Sequence, residues 1–356
     1  MPVSNHQSYR RVLITRMKFI GDIVLTTPII HSARLALPGA YIAYLGERHA
    51  VALLERNPYL DETIPFDFSK PAITEQTRVG WLLRRRRFDL VIDLFGNPRS
   101  ALLTRLTGAS TRIGLDRKGR GALYTIRVVD DGKRRNAIEF HERFLEAAGL
   151  PAIWHSTEIF LSDEERRSAR EFLFRTLFPE GGSSPLVVLH AGATWPAKRW
   201  LPERFARLAG LLHRELGARV LLTEGPHDGD VVEEVLRSAD TPLRRAGVLP
   251  LRTLAAILTE CSALISNDAG PMHIAAAVGT PTVGIFGPGE EEIWFPYRVE
   301  RGYRALRRDV PCHPCHLDFC NRKGEAYMEC MKLVHEREVC EAVTLAMRVK
   351  KGDSPR

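Results

Sequence analysis

Three segments of this sequence carry residues that could act on a phosphorylated substrate. In the first, Gly21 and Asp22 follow an apolar run directly. The glycine permits a tight turn or a close backbone approach, and the aspartate stands where a helix is expected to begin. Two interpretations of its carboxylate stay open: it caps the helix, or it faces a cleft and accepts a proton.

The second segment, 190–200, surrounds two basic residues with glycine and small residues. Lys198 supplies a point charge and Arg199 can bind two oxygens at once, which suits a diphosphate. Thr194 lies in the same loop. Because the Gly-Lys-Ser/Thr signature of a P-loop is missing, the alternative is a solvated basic loop.

The third segment, 266–277, is the most informative, because a strand is expected to end there and a helix to start. The free N–H groups and the dipole of a helix start favour an anion. Gly270 lets a phosphate approach the backbone, and Pro271 fits the first helical turn. His273 is expected to donate a hydrogen bond to a phosphate oxygen; the alternative is a histidine with a purely structural role.

Alternating strand-like and helix-like segments must position these residues, and they predict α/β architecture with two doubly wound domains. The expected strands include 11–15, 41–45, 89–94, 186–190, 219–223, 263–267 and 282–286. The Gly-, Pro- and Ser-rich segment 178–185 predicts the linker. The expected domains are therefore 1–178 and 185–356, with the last helix a candidate to pack back on the first domain.

In doubly wound sheets, ligands bind at the carboxyl ends of the strands, where all three segments are expected to lie. The proton acceptor falls in the first domain and both anion loops fall in the second. A diphosphate leaving group would lie on one domain, and a hydroxyl nucleophile would meet its base on the other. The cleft between them would hold the reacting sugar, which is the layout of a two-domain nucleotide-sugar transferase.

Composition and charge narrow the function classes. The 356 residues are 44% hydrophobic and 26% charged, which predicts a globular protein rather than a disordered chain or a fibre. No apolar stretch is long enough for a membrane span, and the lack of a signal-peptide pattern predicts the cytoplasm. The net charge of +8 favours an anionic partner. Nucleic acid is not expected, because no zinc-finger helix or RNA-stacking motif is present.

Two basic segments are candidates to contact an anionic partner. Residues 112–135 carry eight Lys or Arg against three Asp, and residues 84–87 are all arginine. Within the longer segment, Arg117, Lys118 and Arg120 stand in a Gly-rich stretch that predicts a mobile loop, the kind of element that usually carries binding. Both segments are either acceptor contacts or solvated surface.

Three motifs occur in order along nearly the whole chain. They are Arg16-x4-Gly21-Asp22-x3-Thr26-Thr27-Pro28, Lys198-Arg199-Trp200-x2-Glu203-x-Phe205-x2-Leu208 and Asn267-Asp268-x-Gly270-x2-His273. Together they resemble glycosyltransferase family 9, whose typical members are the ADP-heptose:lipopolysaccharide heptosyltransferases. Each motif alone is weak, whereas three in this order are specific.

The resemblance implies a GT-B fold and an inverting transfer that needs neither a metal nor another cofactor. The implied donor is ADP-L-glycero-D-manno-heptose, and the implied acceptor is an anionic lipopolysaccharide glycolipid of the lipid A-Kdo type. It implies that Asp22 is the general base and that Lys198 contacts the donor phosphates. The predicted donor site comprises Thr194, Lys198, Arg199, Asp268, Ala269, Gly270 and His273. The predicted acceptor site comprises Gly21, Arg117, Lys118 and Arg120.

Two departures from the family pattern affect the donor. Ala269 stands where Thr or Ser is frequent, so one hydroxyl donor to the phosphate is missing. His227 stands in a loop that in the family frequently offers a Glu to the ribose. The ribose contact and the adenine preference therefore stay open.

Four cysteines form a separate pattern, Cys312-x2-Cys315-x4-Cys320-x9-Cys330. Four thiolates could bind zinc tetrahedrally. The second half lacks the usual Cys-x2-Cys pair, however, so loop thiols are favoured and no metal is predicted.

The leading prediction is an inverting heptosyltransferase of lipopolysaccharide core assembly, cytoplasmic and peripheral at the inner face of the inner membrane. One alternative is a transferase of the same fold that uses another nucleotide-sugar, or a protein or other glycan as acceptor. A second is a non-catalytic protein that binds nucleic acid.

Overall fold

Near-continuous apolar runs form the inner strands of two parallel β-sheets, because such strands are covered on both faces. The computed structural model describes residues 9–352, with side chains as far as residue 349. The chain divides into two compact units, Met1–Phe160 and Leu161–Arg356. Each unit contains one six-stranded sheet.

The first unit has a sheet of order β3-β2-β1-β4-β5-β6 in which every pairing is parallel. Its strands are β1 (Arg11–Thr15), β2 (Tyr41–Glu47), β3 (Glu62–Phe66), β4 (Leu90–Asp93), β5 (Thr111–Leu115) and β6 (Ile126–Val128). Its helices are α1 (Ile20–Val24), α2 (Thr27–Ala36), α3 (Arg48–Val51), α4 (Ala72–Arg86), α5 (Pro98–Thr107) and α6 (Ala137–Ala147). Apolar side chains of α2 and α6 pack on one face of the sheet, and those of α4 and α5 pack on the other.

The second unit repeats this arrangement with the order β12-β11-β10-β7-β8-β9, again parallel. Its strands are β7 (Leu186–His190), β8 (Arg219–Glu224), β9 (Arg244–Val248), β10 (Ala263–Asn267), β11 (Thr282–Ile285) and β12 (Tyr303–Leu306). Its helices are α7 (Asp163–Glu171), α8 (Pro202–Leu216), α9 (Gly229–Ser238), α10 (Leu251–Thr259), α11 (Gly270–Ala277), α12 (Glu291–Trp294), α13 (Glu329–Lys332) and α14 (Glu336–Gly352). The predicted α/β class with two doubly wound units is confirmed.

The strand order reverses at one point in each sheet. In the first sheet, β1 lies between β2 and β4, and in the second, β7 lies between β10 and β8. Loops that follow strands on either side of such a switch point diverge and leave room for a ligand. The segments after β1 and β4, and those after β7 and β10, are therefore the places to look for chemistry.

The division between the units falls before α7, earlier than the predicted linker at 178–185. Residues up to 160 stay with the first unit because α2 holds them: Ser32 Oγ accepts from the Trp154 N–H at 2.8 Å, and Thr27 Oγ1 accepts from the Glu158 N–H at 3.0 Å. Helix α7 belongs to the second unit because it packs on α10, where Arg252 Nη2 donates to Glu165 Oε2 at 2.8 Å.

The last helix, α14, also lies in the second unit. It packs on α8 and on strands β10, β11 and β12. Its apolar side chains, Val339 and Val343 among them, belong to the core of that unit. No helix among residues 9–352 has the length and apolarity needed to cross a membrane.

Candidate active site

Asp22 lies on α1, just beyond the carboxyl end of β1, and its side chain is 10% exposed. Arg16 Nη2 donates to Asp22 Oδ2 at 2.6 Å. Arg16 is itself held by the Leu94 carbonyl after β4, to which Nη1 donates at 3.0 Å. Among the described residues, no donor reaches the other carboxylate oxygen, Oδ1. The switch point of the first sheet thus holds a fixed carboxylate with one oxygen available.

The interpretation of Asp22 as a helix cap is wrong. The N-cap position belongs to Phe19, whose φ of 65° is rare for a bulky residue. Such strained backbone is concentrated at functional sites, and the Phe19 side chain is 54% exposed beside the aspartate. Gly21, a predicted acceptor contact, is buried in the same turn.

Two buried neutral groups surround the Arg16–Asp22 pair. Burial, aided by the Arg16 charge, lowers the pKa of His141 to about 3. Burial also raises the pKa of Tyr44 well above its ordinary range, and its hydroxyl lies 2.8 Å from Thr26 Oγ1. At neutral pH, neither group competes with Asp22 for a proton.

In the second unit, a buried amide joins the two predicted anion loops. Asn267, at the end of β10, donates from Nδ2 to the Ala191 carbonyl at 2.7 Å. Its Oδ1 accepts from the Trp200 N–H at 2.9 Å. The loops after β7 and β10 are therefore fixed against each other at the switch point. Asn267 stands in a quoted motif, yet the sequence assigned it no role.

Lys198 and Asp268 form an ion pair where these loops meet. Their Nζ and Oδ2 atoms are 2.6 Å apart, with 17% and 6% of the side chains exposed. The Lys198 Nζ also lies 4.5 Å from the centre of the Trp195 ring. The turn after β11 closes over the pair, because a Cβ at Gly289 would lie 2.8 Å from Asp268 Oδ2. The lysine is held in place and keeps part of its surface accessible.

Arg199 is held by a second buried carboxylate, that of Asp228. Arg199 Nε donates to the Ala193 carbonyl at 3.0 Å, and Nη2 lies 3.4 Å from Asp228 Oδ1. Asp228 Oδ2 accepts from the Gly225 N–H at 2.8 Å. A Cβ at Gly192 would lie 1.9 Å from that oxygen. Asp228 is a site residue that sequence reasoning missed, although it follows His227 directly.

We expect Gly192→Ala to lower both the stability of the protein and its affinity for ADP. The added methyl group must displace the Asp228 carboxylate and with it Arg199, and overpacking of this kind costs about 1–3 kcal/mol. Differential scanning calorimetry measures the loss of stability in the variant, and titration with ADP measures its loss of affinity. Gly39→Ala is the matched control, because a Cβ at Gly39 meets nothing within 4 Å. Equal stability and ADP affinity of the two variants would contradict this arrangement.

The start of α11 fits the predicted anion site. Its N-cap residue, Ala269, provides no side-chain cap, and Pro271 lies in the first turn. Both residues and Gly270 between them are partly exposed. The first N–H groups of the helix are therefore not used by a capping side chain.

His273 lies on the same helix with 5% of its surface exposed, and its Nδ1 is 2.8 Å from the Tyr297 hydroxyl. Burial and the nearby Lys198 lower the pKa of His273 to about 3. The imidazole is therefore neutral at pH 7, so it can offer a hydrogen bond but no charge. Thr194 and His227 are exposed in the loops after β7 and β8.

The predicted acceptor loop follows β5 and so begins at the same sheet edge as Asp22. Arg117 and Lys118 are exposed, and among the described residues their side chains have no partner. Arg120 differs, because its Nε donates to the Gly96 carbonyl at 2.8 Å. Arg120 fixes the loop to the segment after β4, so its role includes positioning.

The arginines of 84–87 lie at the opposite edge of the sheet. Helix α4 ends at Arg86 and β4 starts at Leu90, so this cluster is at the amino ends of the strands. Arg86 is paired with Glu62 at 2.7 Å. The cluster cannot serve as an acceptor contact beside Asp22.

Two cationic side chains to which the sequence did not point lie at the carboxyl edge of the first sheet, the edge that holds Asp22. Lys18 Nζ is 4.6 Å from the centre of the Phe68 ring, and Arg99 Cζ is 5.2 Å from the same centre. Neither cation has an ion-pair partner among residues 9–352. Glu47 is nearby: burial raises its pKa, and Lys18 partly opposes that shift. Lys18 and Phe68 lie in the loops after β1 and β3, and Arg99 lies in the first turn of α5, so the three residues form no sequence motif.

Comparison with known proteins identifies the family. A sequence profile described as glycosyltransferase family 9 (heptosyltransferase) matches residues 77–324. The chain belongs to glycosyltransferase family 9. The predicted family, the transferase class and the GT-B fold class are thereby confirmed.

Individual family members cover most of the chain. Lipopolysaccharide heptosyltransferase 3 of Escherichia coli is 28% identical over 294 residues, 79% of this chain and 84% of that protein. Lipopolysaccharide heptosyltransferase 1 of Pseudomonas aeruginosa is 28% identical over 349 residues, 93% of each chain. The solved family 9 glycosyl transferase of Veillonella parvula superposes with a TM-score of 0.83 at 26% identity, covering 96% of this chain and 98% of that one.

The four patterned cysteines of this family 9 protein line one small cavity of about 30 Å³. Burial and the three neighbouring thiols raise the pKa of Cys330 to about 11. Within residues 9–352, however, no group of three or more His, Cys, Asp or Glu side chains is arranged to hold a metal ion. The six cysteines all lie within the described residues, and none of them forms a disulfide there.

Proposed function

We propose that the protein transfers L-glycero-D-manno-heptose from ADP-heptose to an anionic glycolipid of the lipopolysaccharide inner core, with inversion at the anomeric carbon. The observation that carries this proposal is the Asp22 carboxylate, which Arg16 holds by Oδ2 while Oδ1 accepts no hydrogen bond from the described residues. Structures of Escherichia coli heptosyltransferases with ADP and with a fluorinated ADP-heptose support the choice of donor.

In the proposed reaction, the acceptor hydroxyl oxygen attacks the anomeric carbon of the heptose. The bond from that carbon to the diphosphate breaks, and its electron pair leaves with ADP. The hydroxyl proton passes to Oδ1 of Asp22, which acts as the general base. Arg16 is a positioning residue, because it fixes the carboxylate without contacting the reacting atoms.

The donor diphosphate is assigned to Lys198 and the start of α11. Lys198 supplies positive charge where the leaving group develops negative charge, and the α11 N–H groups add their dipoles. Asp268 holds Lys198 in place, and Arg199 is held by Asp228. His273 contributes a hydrogen bond in its neutral form.

We expect transfer to proceed in the presence of excess EDTA. The cation and helix start replace the divalent ion that other transferases use to neutralise a diphosphate. The check is the initial rate with and without chelator, after prior removal of metals. A rate that collapses on chelation and returns with magnesium or manganese would overturn this donor site, and a return with zinc alone would implicate the four-cysteine cavity.

The acceptor is assigned to the edge of the first sheet that holds Asp22. Lys18 and Arg99 over Phe68 provide positive charge on an apolar surface, and Arg117 and Lys118 add charge from the loop after β5. Phosphates and carboxylates of an inner-core glycolipid suit these groups. Gly21 is buried in the turn that holds the base, so its part is assigned to the shape of that turn and not to direct contact with the acceptor.

Neutralising Arg117 and Lys118 together should raise the acceptor KM about thirtyfold, since each basic residue near an anionic surface contributes about 1 kcal/mol. ADP affinity should not change, and the salt dependence of the reaction should become shallower. Arg166→Ser/Arg167→Ser, on exposed positions of α7, is the control. Arg120→Ser should lower kcat as well as raise the acceptor KM, because it changes the position of the loop. Normal acceptor use by Arg117→Ser/Lys118→Ser at low salt would show that the loop is solvated surface.

The proposed function is tested by assaying a panel of nucleotide-sugars against a panel of truncated lipopolysaccharides. Mass spectrometry should show addition of one heptose residue from ADP-heptose only. Transfer from a different nucleotide-sugar, or to protein but not to glycolipid, would replace the proposal by a same-fold transferase of other specificity. The departures at Ala269 and His227 make the base of the nucleotide the first variable to test.

A further inference from the structure

The outer face of helices α4 and α5, on the side away from the first sheet, carries exposed apolar side chains. Four large apolar residues on it are exposed: Ile73 by 83%, Trp81 by 61%, Leu102 by 44% and Leu106 by 42%. The inner faces of both helices pack on the first sheet. The outer face is therefore apolar beyond what the fold of this unit requires.

These residues form one continuous surface. On α4, Ile73, Thr77, Trp81 and Arg85 follow one another at four-residue spacing, so they share one side of the helix. On α5, Leu102 and Leu106 have the same spacing. The two rows are adjacent, because a Cβ at Gly80, the neighbour of Trp81, would lie 3.1 Å from Leu106.

The charges on this face have one sign. Its exposed charged residues are all arginines: Arg84, Arg85 and Arg105 lie in the last turns of the two helices, and Arg78 lies at its margin. The one acidic residue of the two helices, Glu75, is buried and paired with Arg78. Arg85 lies over the Trp81 ring at 4.4 Å. By contrast, the exposed sides of α6 and α9 carry several glutamates or aspartates, as an ordinary solvated face does.

We propose that the α4–α5 face docks the protein on a bilayer of anionic phospholipid, an inference that rests on the proposed transfer to a membrane glycolipid. Trp and Leu side chains enter the headgroup boundary, and arginines pair with lipid phosphates. A second copy of this chain is a poor occupant, because a symmetric contact would set arginines against arginines with no acidic partner.

The position of this face agrees with the proposed acceptor site. Helices α4 and α5 follow β3 and β4, so both start at the carboxyl edge of the sheet. Arg99 lies in the first turn of α5 and reaches the Phe68 ring together with Lys18. Docking along the two helices would therefore bring a lipid headgroup to the edge that holds Asp22.

The test is flotation of the full chain with vesicles of phosphatidylethanolamine and phosphatidylglycerol. Vesicles of phosphatidylcholine alone are run beside them. Trp81→Ser/Leu106→Ser and Arg85→Ser/Arg105→Ser should each lower partitioning about tenfold or more. Binding to the anionic vesicles should weaken in high salt. Val129→Ser/Val248→Ser, at exposed apolar positions elsewhere, should bind as the wild type does.

Activity separates this inference from the proposed function. On a deacylated, water-soluble acceptor the Trp81→Ser/Leu106→Ser variant should equal the wild type, while on vesicle-borne acceptor it should lose about tenfold. Failure of the wild type to transfer to the soluble acceptor would refute the proposed function alone. If Trp81→Ser/Leu106→Ser and Arg85→Ser/Arg105→Ser both bound vesicles as strongly as the wild type, the proposed docking face would be wrong. A dimer that dissociates in the variants, without vesicle binding by the wild type, would overturn it too.

Discussion

Asp22→Asn is expected to abolish heptose transfer while leaving the fold and ADP binding unchanged. The asparagine keeps the size of the side chain and can still accept from Arg16, but it has no basic oxygen for the acceptor proton. Loss of a general base typically costs about two to four orders of magnitude in rate. The measurement is kcat under saturating donor and acceptor, with ADP affinity and thermal midpoint determined on the same preparation.

Asp130→Asn serves as the matched control, because Asp130 is exposed in the same unit and lies far along the chain from the Arg16–Asp22 pair. It should keep the full rate. If Asp22→Asn retained more than about a tenth of the wild-type rate, general-base catalysis at this position would be excluded. The rate of the Arg16→Lys variant should lie between those of Asp22→Asn and Asp130→Asn. A lysine keeps the positive charge but loses the second contact, to the Leu94 carbonyl.

Lys198→Ala is expected to have the second largest effect, a fall in kcat of about two to three orders of magnitude with a higher donor KM. In the proposed reaction, the Lys198 charge would act on the diphosphate in the ground state and more strongly as ADP departs. The variant also leaves the buried Asp268 without its cation. Steady-state kinetics over a range of ADP-heptose concentrations separates the two kinetic constants.

The double variant Lys198→Ala/Asp268→Asn also neutralises the carboxylate that pairs with Lys198, and so isolates the effect of the lysine charge at the phosphates. We expect it to regain stability but not rate. Recovery of rate in the double variant would mean that Lys198 serves only to neutralise Asp268. Lys323→Ala, at an exposed position of the same unit, is the control and should behave as the wild type.

Seven of the eight inner strands were predicted from the sequence, β5 being the exception, and the four edge strands were not. The run at 186–190 predicted β7 with its observed bounds, because both faces of that strand are buried. The edge strands are β3, β6, β9 and β12. Strand β3 contains Pro65, and β9 starts with two arginines and is mostly exposed. Without burial on both faces, such strands have no apolar run to recognise.

Candidate site residues that lie within a motif could be predicted from the sequence, whereas the side chains with which they pair could not. The sequence pointed to Asp22, Lys198 and Asp268 from the loops that hold them. It gave no sign that Arg16 holds Asp22 or that Lys198 pairs with Asp268. Pairing is decided by side-chain direction after the loops fold together. Lys18, Phe68 and Arg99 were missed for the same reason, since three separate segments of the chain contribute one residue each.

Direct heptosyl transfer with Asp22 as base determines the stereochemistry of the product, so the configuration of the new linkage tests this mechanism. ADP-heptose of known anomeric configuration is incubated with an inner-core glycolipid, and the new linkage is assigned by NMR. Direct displacement should give one added heptose whose anomeric configuration is opposite to that in the donor. A product with retained configuration, or no heptosyl product under conditions where the protein is folded and binds ADP, would contradict it.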